Sequence, residues 1–281
     1  MQTNFLLGSD LRYRLFAGVK YLVYFLLAIN VLLFLREELL ALEHTFVDGF
    51  LPDQFIQVFS ATIDTAAWVI LLLLFELETR VLEDELIHGW VKWLLHGARG
   101  LCYVAIVYAF TGYCTELQTL YQVVDLGVAQ ACSLLGQDYS LLIGLDKYVV
   151  LDGANCVGIV QPIFRIEDFD IVVRQDTLYA AQKLAWTDLI NSGTWILVCL
   201  ILEIEVRLQL RGNLSNAIMS TNRFVKFALY GVLFAAAGYW GVAGDFLDFW
   251  DAALWLFAFI FIELNVFEWQ NETQQVAAEA G

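Results

Sequence analysis

Only two prolines, Pro52 and Pro162, occur in 281 residues. Neither falls inside a long apolar run, so no proline breaks those runs as helices. Histidine is nearly as scarce. His44, His88 and His96 are the whole supply, and none lies mid-run, which excludes a haem held by two histidines between helices. The five cysteines include no Cys-x-x-Cys pair, so zinc and iron–sulfur chemistry lack a ligand set; no metal and no cofactor are expected. Also missing are a Gly-x-x-x-x-Gly-Lys-Ser/Thr loop, a Thr-Val-Gly-Tyr-Gly filter and a regularly spaced arginine helix, the marks of nucleotide hydrolysis, potassium selectivity and voltage sensing. With no nucleophile–base pair in view either, an enzyme ranks below a transport protein or a structural subunit.

What is present is apolar surface. Hydrophobic residues make up 60% of the chain and charged ones 16%, far from the soluble norm. Six runs, at 17–35, 60–79, 97–116, 190–208, 224–243 and 249–268, are long enough to cross about 30 Å of hydrocarbon, which takes roughly 20 helical residues. The first run follows Arg12 and Arg14 without a small-residue cleavage site and reads as an uncleaved anchor.

Two of these runs are copies. Residues 63–80 and 190–207 share Ile63/Ile190, Trp68/Trp195, Leu73/Leu200, Glu76/Glu203, Glu78/Glu205 and Arg80/Arg207. A weaker third copy carries Asp251, Trp255 and Glu263 at matching spacings. Each partner run opens with a base four residues before a tyrosine: Lys20/Tyr24, Arg99/Tyr103 and Lys226/Tyr230. The expected fold is an all-α integral membrane protein of six transmembrane helices arranged as three tandem hairpins. Residues 1–116 hold helices one to three and 190–281 hold helices four to six with a cytoplasmic tail. Between them, 117–189 form a small extracytoplasmic αβ insertion.

Ten of the fifteen Lys and Arg residues fall on the side that holds both termini. The positive-inside rule therefore expects cytoplasmic termini, in a bacterial inner membrane. The sequons at Asn213 and Asn271 then face the cytoplasm and stay unglycosylated. The opposite face holds nineteen acids against five bases; such a surface concentrates cations and repels anions, nucleic acid included.

Within the insertion, the apolar run Leu120–Gly136 reads as a re-entrant or surface helix. Tyr148–Leu151 and Cys156–Val160 read as a hairpin turning at Asp152-Gly153, with Ile171–Val173 as a further strand. Cys132 and Cys156 can pair on an oxidising side. Residues 37–59 read as a short outer helix and turn. Residues 81–96, with Leu86, Trp90, Trp93 and Leu94 at helical spacing, read as an interfacial helix or an extension of the second span.

Ionisable groups inside a membrane are costly and mark function by default. Asp64, Asn191 and Asp251 stand one turn before the three tryptophans and are expected to ring an outer vestibule. Glu76, Glu203 and Glu263 form an inner station of the same pathway. Lys20, Arg99, Lys226, Glu78, Arg80, Glu205 and Arg207 supply ion pairs that lock the hairpins, and Glu76 and Glu203 are also candidates for such locks. Trp68, Trp195 and Trp255 read as headgroup anchors. The small-residue run Gly231–Gly241 reads as tight packing or an oligomer contact. The leading expectation is a channel or transport protein for a cation or proton. The alternative is a non-catalytic subunit or assembly scaffold of a larger membrane complex. Partners are the lipid bilayer and either a homo-oligomer or other membrane subunits. The transported species and the oligomeric state are not encoded in any motif.

Overall fold

The computed structural model describes residues 10–46, 49–52, 54–78, 89–210 and 216–261, with backbone only at 10–13, 205–210 and 216–220. Most of these residues are helical. In chain order they form α1 (Asp10–Thr45), α2 (Phe55–Val58), α3 (Ser60–Glu76), α4 (Gly89–Thr119), five short strands, α5 (Gln175–Leu210), α6 (Asn216–Ala243) and α7 (246–261). Four of them, α1, α4, α5 and α6, are long and apolar enough to cross a membrane. Their outward side chains fit that setting: Phe25, Leu32, Val104, Val107, Phe234 and Val242 are all exposed. A water-soluble surface rarely tolerates so large an apolar area.

Both α1 and α5 have 36 residues. At 1.5 Å per residue each is about 54 Å long, well beyond the ~30 Å hydrocarbon layer. The connection expected at 37–59 is accordingly shorter than its sequence suggests, because α1 continues through Glu37, Glu38 and Glu43 before ending at Thr45. Trp90 and Trp93 belong to the first turns of α4, so that segment extends the third apolar run and not the second. Residues 81–88 lie outside the described residues.

The helix ends are set by specific contacts. Glu38 on α1 caps the start of α3: its Oε1 accepts the Ala61 N–H at 2.8 Å and the Thr62 N–H at 3.3 Å, and its other oxygen accepts the Thr62 hydroxyl. A carboxylate is well suited there, since the first N–H groups of a helix have no internal partner and carry partial positive charge. Gly244 ends α6 with φ +87°, and the N–H groups of Gly244 and Asp245 both reach the Trp240 carbonyl at 3.0 Å. Only glycine takes this left-handed cap cheaply, and the cap starts α7 at once. Gly112 lets α4 lie directly on α2 and α3; a Cβ there would sit 2.8 Å from the Ile56 carbonyl oxygen and from Ser60 Cβ.

Between α4 and α5 the chain builds a five-stranded sheet: β1 (Val123–Asp125), β2 (Ser140–Gly144), β3 (Lys147–Val150), β4 (Ile163–Ile166) and β5 (Ile171–Arg174), in the order β1-β4-β5-β2-β3. Only β2 and β5 run parallel. One face, with Leu142, Ile166, Ile171 and Val173, packs on the ends of α4, α5, α6 and α7. The other, with Leu141, Ile163 and Val172, is covered by the 3₁₀ turn Ala131–Leu134 and the loop through Cys156. Burial on both faces explains why β5 reads as an uninterrupted apolar run.

Two expectations for this region are overturned. Leu120–Gly136 is not a helix; it supplies β1 and the 3₁₀ turn. The hairpin is β2–β3, turning at Leu145-Asp146, and Cys156–Val160 is loop apart from one bridge to Gln130. The reason is local. The Asp152 carboxylate accepts the N–H groups of Ala154 and Asn155 at 2.8 and 2.9 Å, and this side-chain-closed turn diverts the chain away from strand pairing. A disulfide between Cys132 and Cys156 then ties the loop to the 3₁₀ turn.

Candidate functional site

Where the sheet meets the helices, a cavity opens with a water-accessible volume of about 150 Å³. Acidic side chains reach it from nearly every element. α1 contributes Glu37 and Glu38, α3 Asp64, α4 Glu116, the β2–β3 turn Asp146, and α5 Asp188. Asp245 precedes α7, which adds Asp248 and Asp251. Among the described residues lining it there is no lysine or arginine.

Two of the three residues expected to ring a vestibule carry carboxyl groups, and all three line this one cavity: Asp64, Asn191 and Asp251. Asp64 is buried, and its Oδ2 accepts the Tyr113 hydroxyl at 3.4 Å. Asp251 accepts the Asn30 amide at 2.7 Å. Asp188 accepts the Trp240 indole N–H at 3.0 Å. Several oxygens meet no hydrogen-bonding partner among the described residues: Asp64 Oδ1, Glu116 Oε1, Asn191 Oδ1, Ser192 Oγ and Asn30 Oδ1. Leaving a buried acceptor unsatisfied costs about 1–3 kcal/mol, so these oxygens favour donors from outside the described side chains, water included.

The floor is aromatic. Trp68, Trp195 and Trp255 pack on one another with ring centroids 6.3–6.4 Å apart and planes inclined by 56–66°. Such near-equal tilts are those of a three-fold propeller, and tilted contacts suit the ring quadrupoles. Phe259 closes on Trp195 at 4.5 Å. These tryptophans are therefore not lipid-facing headgroup anchors. Trp195 and Trp255 are only 7% exposed, in the core cluster where α1, α3, α5, α6 and α7 meet.

Glu76 is elsewhere, eight residues or about 12 Å further along α3 than Trp68. There it is buried against Lys20, forming an ion pair, and accepts the Tyr21 hydroxyl at 3.0 Å. The Lys20 ammonium also lies 4.8 Å from the Tyr21 ring centroid. Glu78 pairs with Arg99 on α4. The first pair joins α3 to α1, and the second joins the residues just after α3 to α4. Glu203 is exposed and Lys226 half-buried, each with neighbours of its own. Glu263 and Arg80 lie outside the described residues, as do the side chains of Glu205 and Arg207. Asn30, Tyr113, Ser192 and Trp240 were missed by sequence reasoning. Asn30 alone carried a signal, being a polar residue in the middle of an apolar run.

The β2–β3 turn closes the cavity on the side of the sheet. Asp146 takes φ +56°, a conformation that Asp tolerates better than most residues. Next to it Lys147 bridges Asp245 at 3.2 Å and Glu37 at 3.8 Å. His44 on α1 contacts the Ser140 hydroxyl at 3.0 Å and stacks on Tyr148. Burial first, then the charges of Glu37 and Asp245, raise the Asp146 carboxyl from 3.8 to about 7, with Lys147 offsetting part of the rise.

Two measurements check this account. Removing one partner of a buried ion pair strands the other charge, at a cost of about 3–5 kcal/mol. Lys20→Met should thus lower unfolding stability by that order in a denaturant titration, and the double variant Lys20→Met/Glu76→Gln should regain most of it. For Asp146 the native state holds its proton more tightly than the unfolded chain, so its stabilisation is complete below about 3.8 and is lost as pH rises to about 7. Thermal melts across that window should fall less steeply for Asp146→Asn than for the parent protein.

Compared with family models, with characterised proteins and with solved structures, the chain matches none.

Proposed function

We propose that this is a multi-pass membrane protein of the channel or transport class that passes a cation or proton. In this reading α1, α3, α4, α5, α6 and α7 are six spans in three tandem hairpins, and both termini are cytoplasmic in a bacterial inner membrane. The sheet faces the extracytoplasmic side, which its disulfide supports, because such bonds persist in oxidising compartments. The observation that carries the reading is the convergence of acidic side chains on one cavity without a lining base. Low-dielectric walls focus such a field and concentrate cations at the mouth.

Depth along α3 is consistent with a path. Asp64 lies twelve residues, about 18 Å, outward of Glu76, so a membrane with Glu76 near its inner boundary would hold Asp64 in the outer leaflet. Asp64 and Asp251 form the outer station. The tryptophan floor is a dry constriction of the kind that gates by excluding water. Glu76, held by Lys20, and Glu203 stand on the inner side, the station to which the sequence also assigned Glu263. Passage requires the three indoles to part, so the described arrangement is a closed one.

A second reading, a subunit or assembly scaffold of a larger complex, is favoured by a different observation. The sheet region exposes Ile143, Val150, Val157 and Val160, outside the helices that lipid would cover. Reconstitution decides between the two. In proteoliposomes under an imposed gradient, the protein should carry proton or monovalent-cation flux, reduced about tenfold or more by Asp64→Asn and by Asp251→Asn in variants that elute and melt as the parent does. Flux equal in the parent and both variants, or absent from all, together with stoichiometric foreign subunits after mild extraction from the host membrane, would make the protein a complex component.

A further inference from the structure

The chamber that carries the cation reading has features that an inorganic ion does not use. Among the described residues no three His, Cys, Asp or Glu side chains converge closely enough to hold a metal ion. The carboxylates are instead spread around the wall: Asp64 and Asp251 stand one turn above the floor, while Asp248 also faces Asp188, Asp245 and Glu37 further out. A compact hydrated ion could satisfy one end of such an array but not both. An elongated polycation can span it.

The floor points the same way. The alkyl stem of an organic ammonium packs on indole rings, whereas a sodium or calcium ion must first give up water that rings cannot replace. Directly above the indoles, Asp64 is 8% exposed and Ser192 2% exposed. Ser192 lies beside the Asp64 carboxylate, yet Asp64 Oδ1 and Ser192 Oγ meet no partner in hydrogen-bonding geometry, and neither does Asn191 Oδ1. Three acceptors grouped in this way match an ammonium head, which has three N–H donors and no acceptor. The cavity, at about 150 Å³, has room for on the order of ten waters, or for a short aliphatic chain carrying two or three amines.

We infer that the chamber binds a linear aliphatic polyamine, with one ammonium seated over Trp68, Trp195 and Trp255 against Asp64, Asn191 and Ser192, and its outer ammonium held by Asp188, Asp245 and Asp248. The inference rests on the cation reading above and specifies its ligand. No covalent step is involved.

The test uses the full-length protein in lipid nanodiscs at constant ionic strength, titrated with spermidine, putrescine, tetramethylammonium, sodium and calcium. Binding is followed by calorimetry and by tryptophan fluorescence. Saturable spermidine binding that alters the fluorescence is expected, with affinity lowered at least about tenfold by Asp64→Asn and by Asp248→Asn, as loss of a charge-assisted hydrogen bond requires. Both variants replace a carboxylate by its isostere, and unchanged elution and melting show that they fold. Tetramethylammonium, which has no N–H, should bind more weakly than either amine. If sodium or calcium binds saturably in an Asp64-dependent way and the amines do not, the polyamine inference is overturned and the cation reading stands. If no cation binds and none crosses proteoliposomes, both fall.

Discussion

Three indoles meet where α3, α5 and α7 approach the axis of the bundle, and the organisation of the molecule on either side depends on that contact. Each ring fills the space left by the other two, so the three helices cannot shift independently at that depth. Above the rings the helices diverge enough to leave a chamber. Below them the side chains of Val69, Leu72, Val198 and Phe261 close the core. A residue four positions earlier on each helix, Asp64, Asn191 or Asp251, is thereby placed on the chamber side, and on α3 and α5 the residue eight positions later, Glu76 or Glu203, falls on the other side. One packing contact thus sorts the polar groups of these helices into two sets.

The two sets are handled by opposite electrostatics. Beyond the rings from the chamber, acids meet bases: Glu76 with Lys20 and Glu78 with Arg99. The charges cancel locally and serve to join helices. In the chamber the acids are gathered, and at its rim Lys147 bridges Glu37 and Asp245. A low-dielectric enclosure cannot hold so many ionised carboxylates without counter-charge, so the site needs either protons or a cationic guest. Some of these acids have structural duties as well. Glu38 caps α3, and Asp188 anchors the Trp240 indole. Asp64 Oδ1, Asn191 Oδ1 and Ser192 Oγ, which meet no hydrogen-bonding partner among the described residues, stand beside the floor.

The sheet makes the chamber an enclosure. Its bundle-facing side chains share one core with the ends of four helices, and its β2–β3 turn brings Asp146 and Lys147 over the opening. Without it, the helix ends carrying Glu37, Asp188 and Asp245 would face water, and their field would be screened. The sheet is therefore part of the site and not an appended domain.

Local pattern carried much of this. Long apolar runs without proline determine helices at any position in the fold, because helix formation there needs no distant partner. The spacing of Asp64, Asn191 and Asp251 relative to three tryptophans was readable for the same reason: helical periodicity sets which turn a residue occupies. Ile171–Val173 was legible as a strand from its β-branched residues. What tertiary structure alone decided is which faces turn inward. The tryptophans looked like interfacial anchors because an amphipathic ring in an apolar run is usually one, and only the packing of non-consecutive helices shows them as a central floor. The β2–β3 hairpin was masked because Asp152-Gly153 has turn chemistry, yet its side-chain hydrogen bonds close a loop and not a strand pair. Likewise Glu116, Asp146, Asp188 and Asp248 are scattered over 133 positions of sequence and read as a diffuse acidic face. Sequence determined the elements and the charge of each, since both are local; the fold decided that those charges share one chamber, since convergence depends on contacts between residues far apart along the chain.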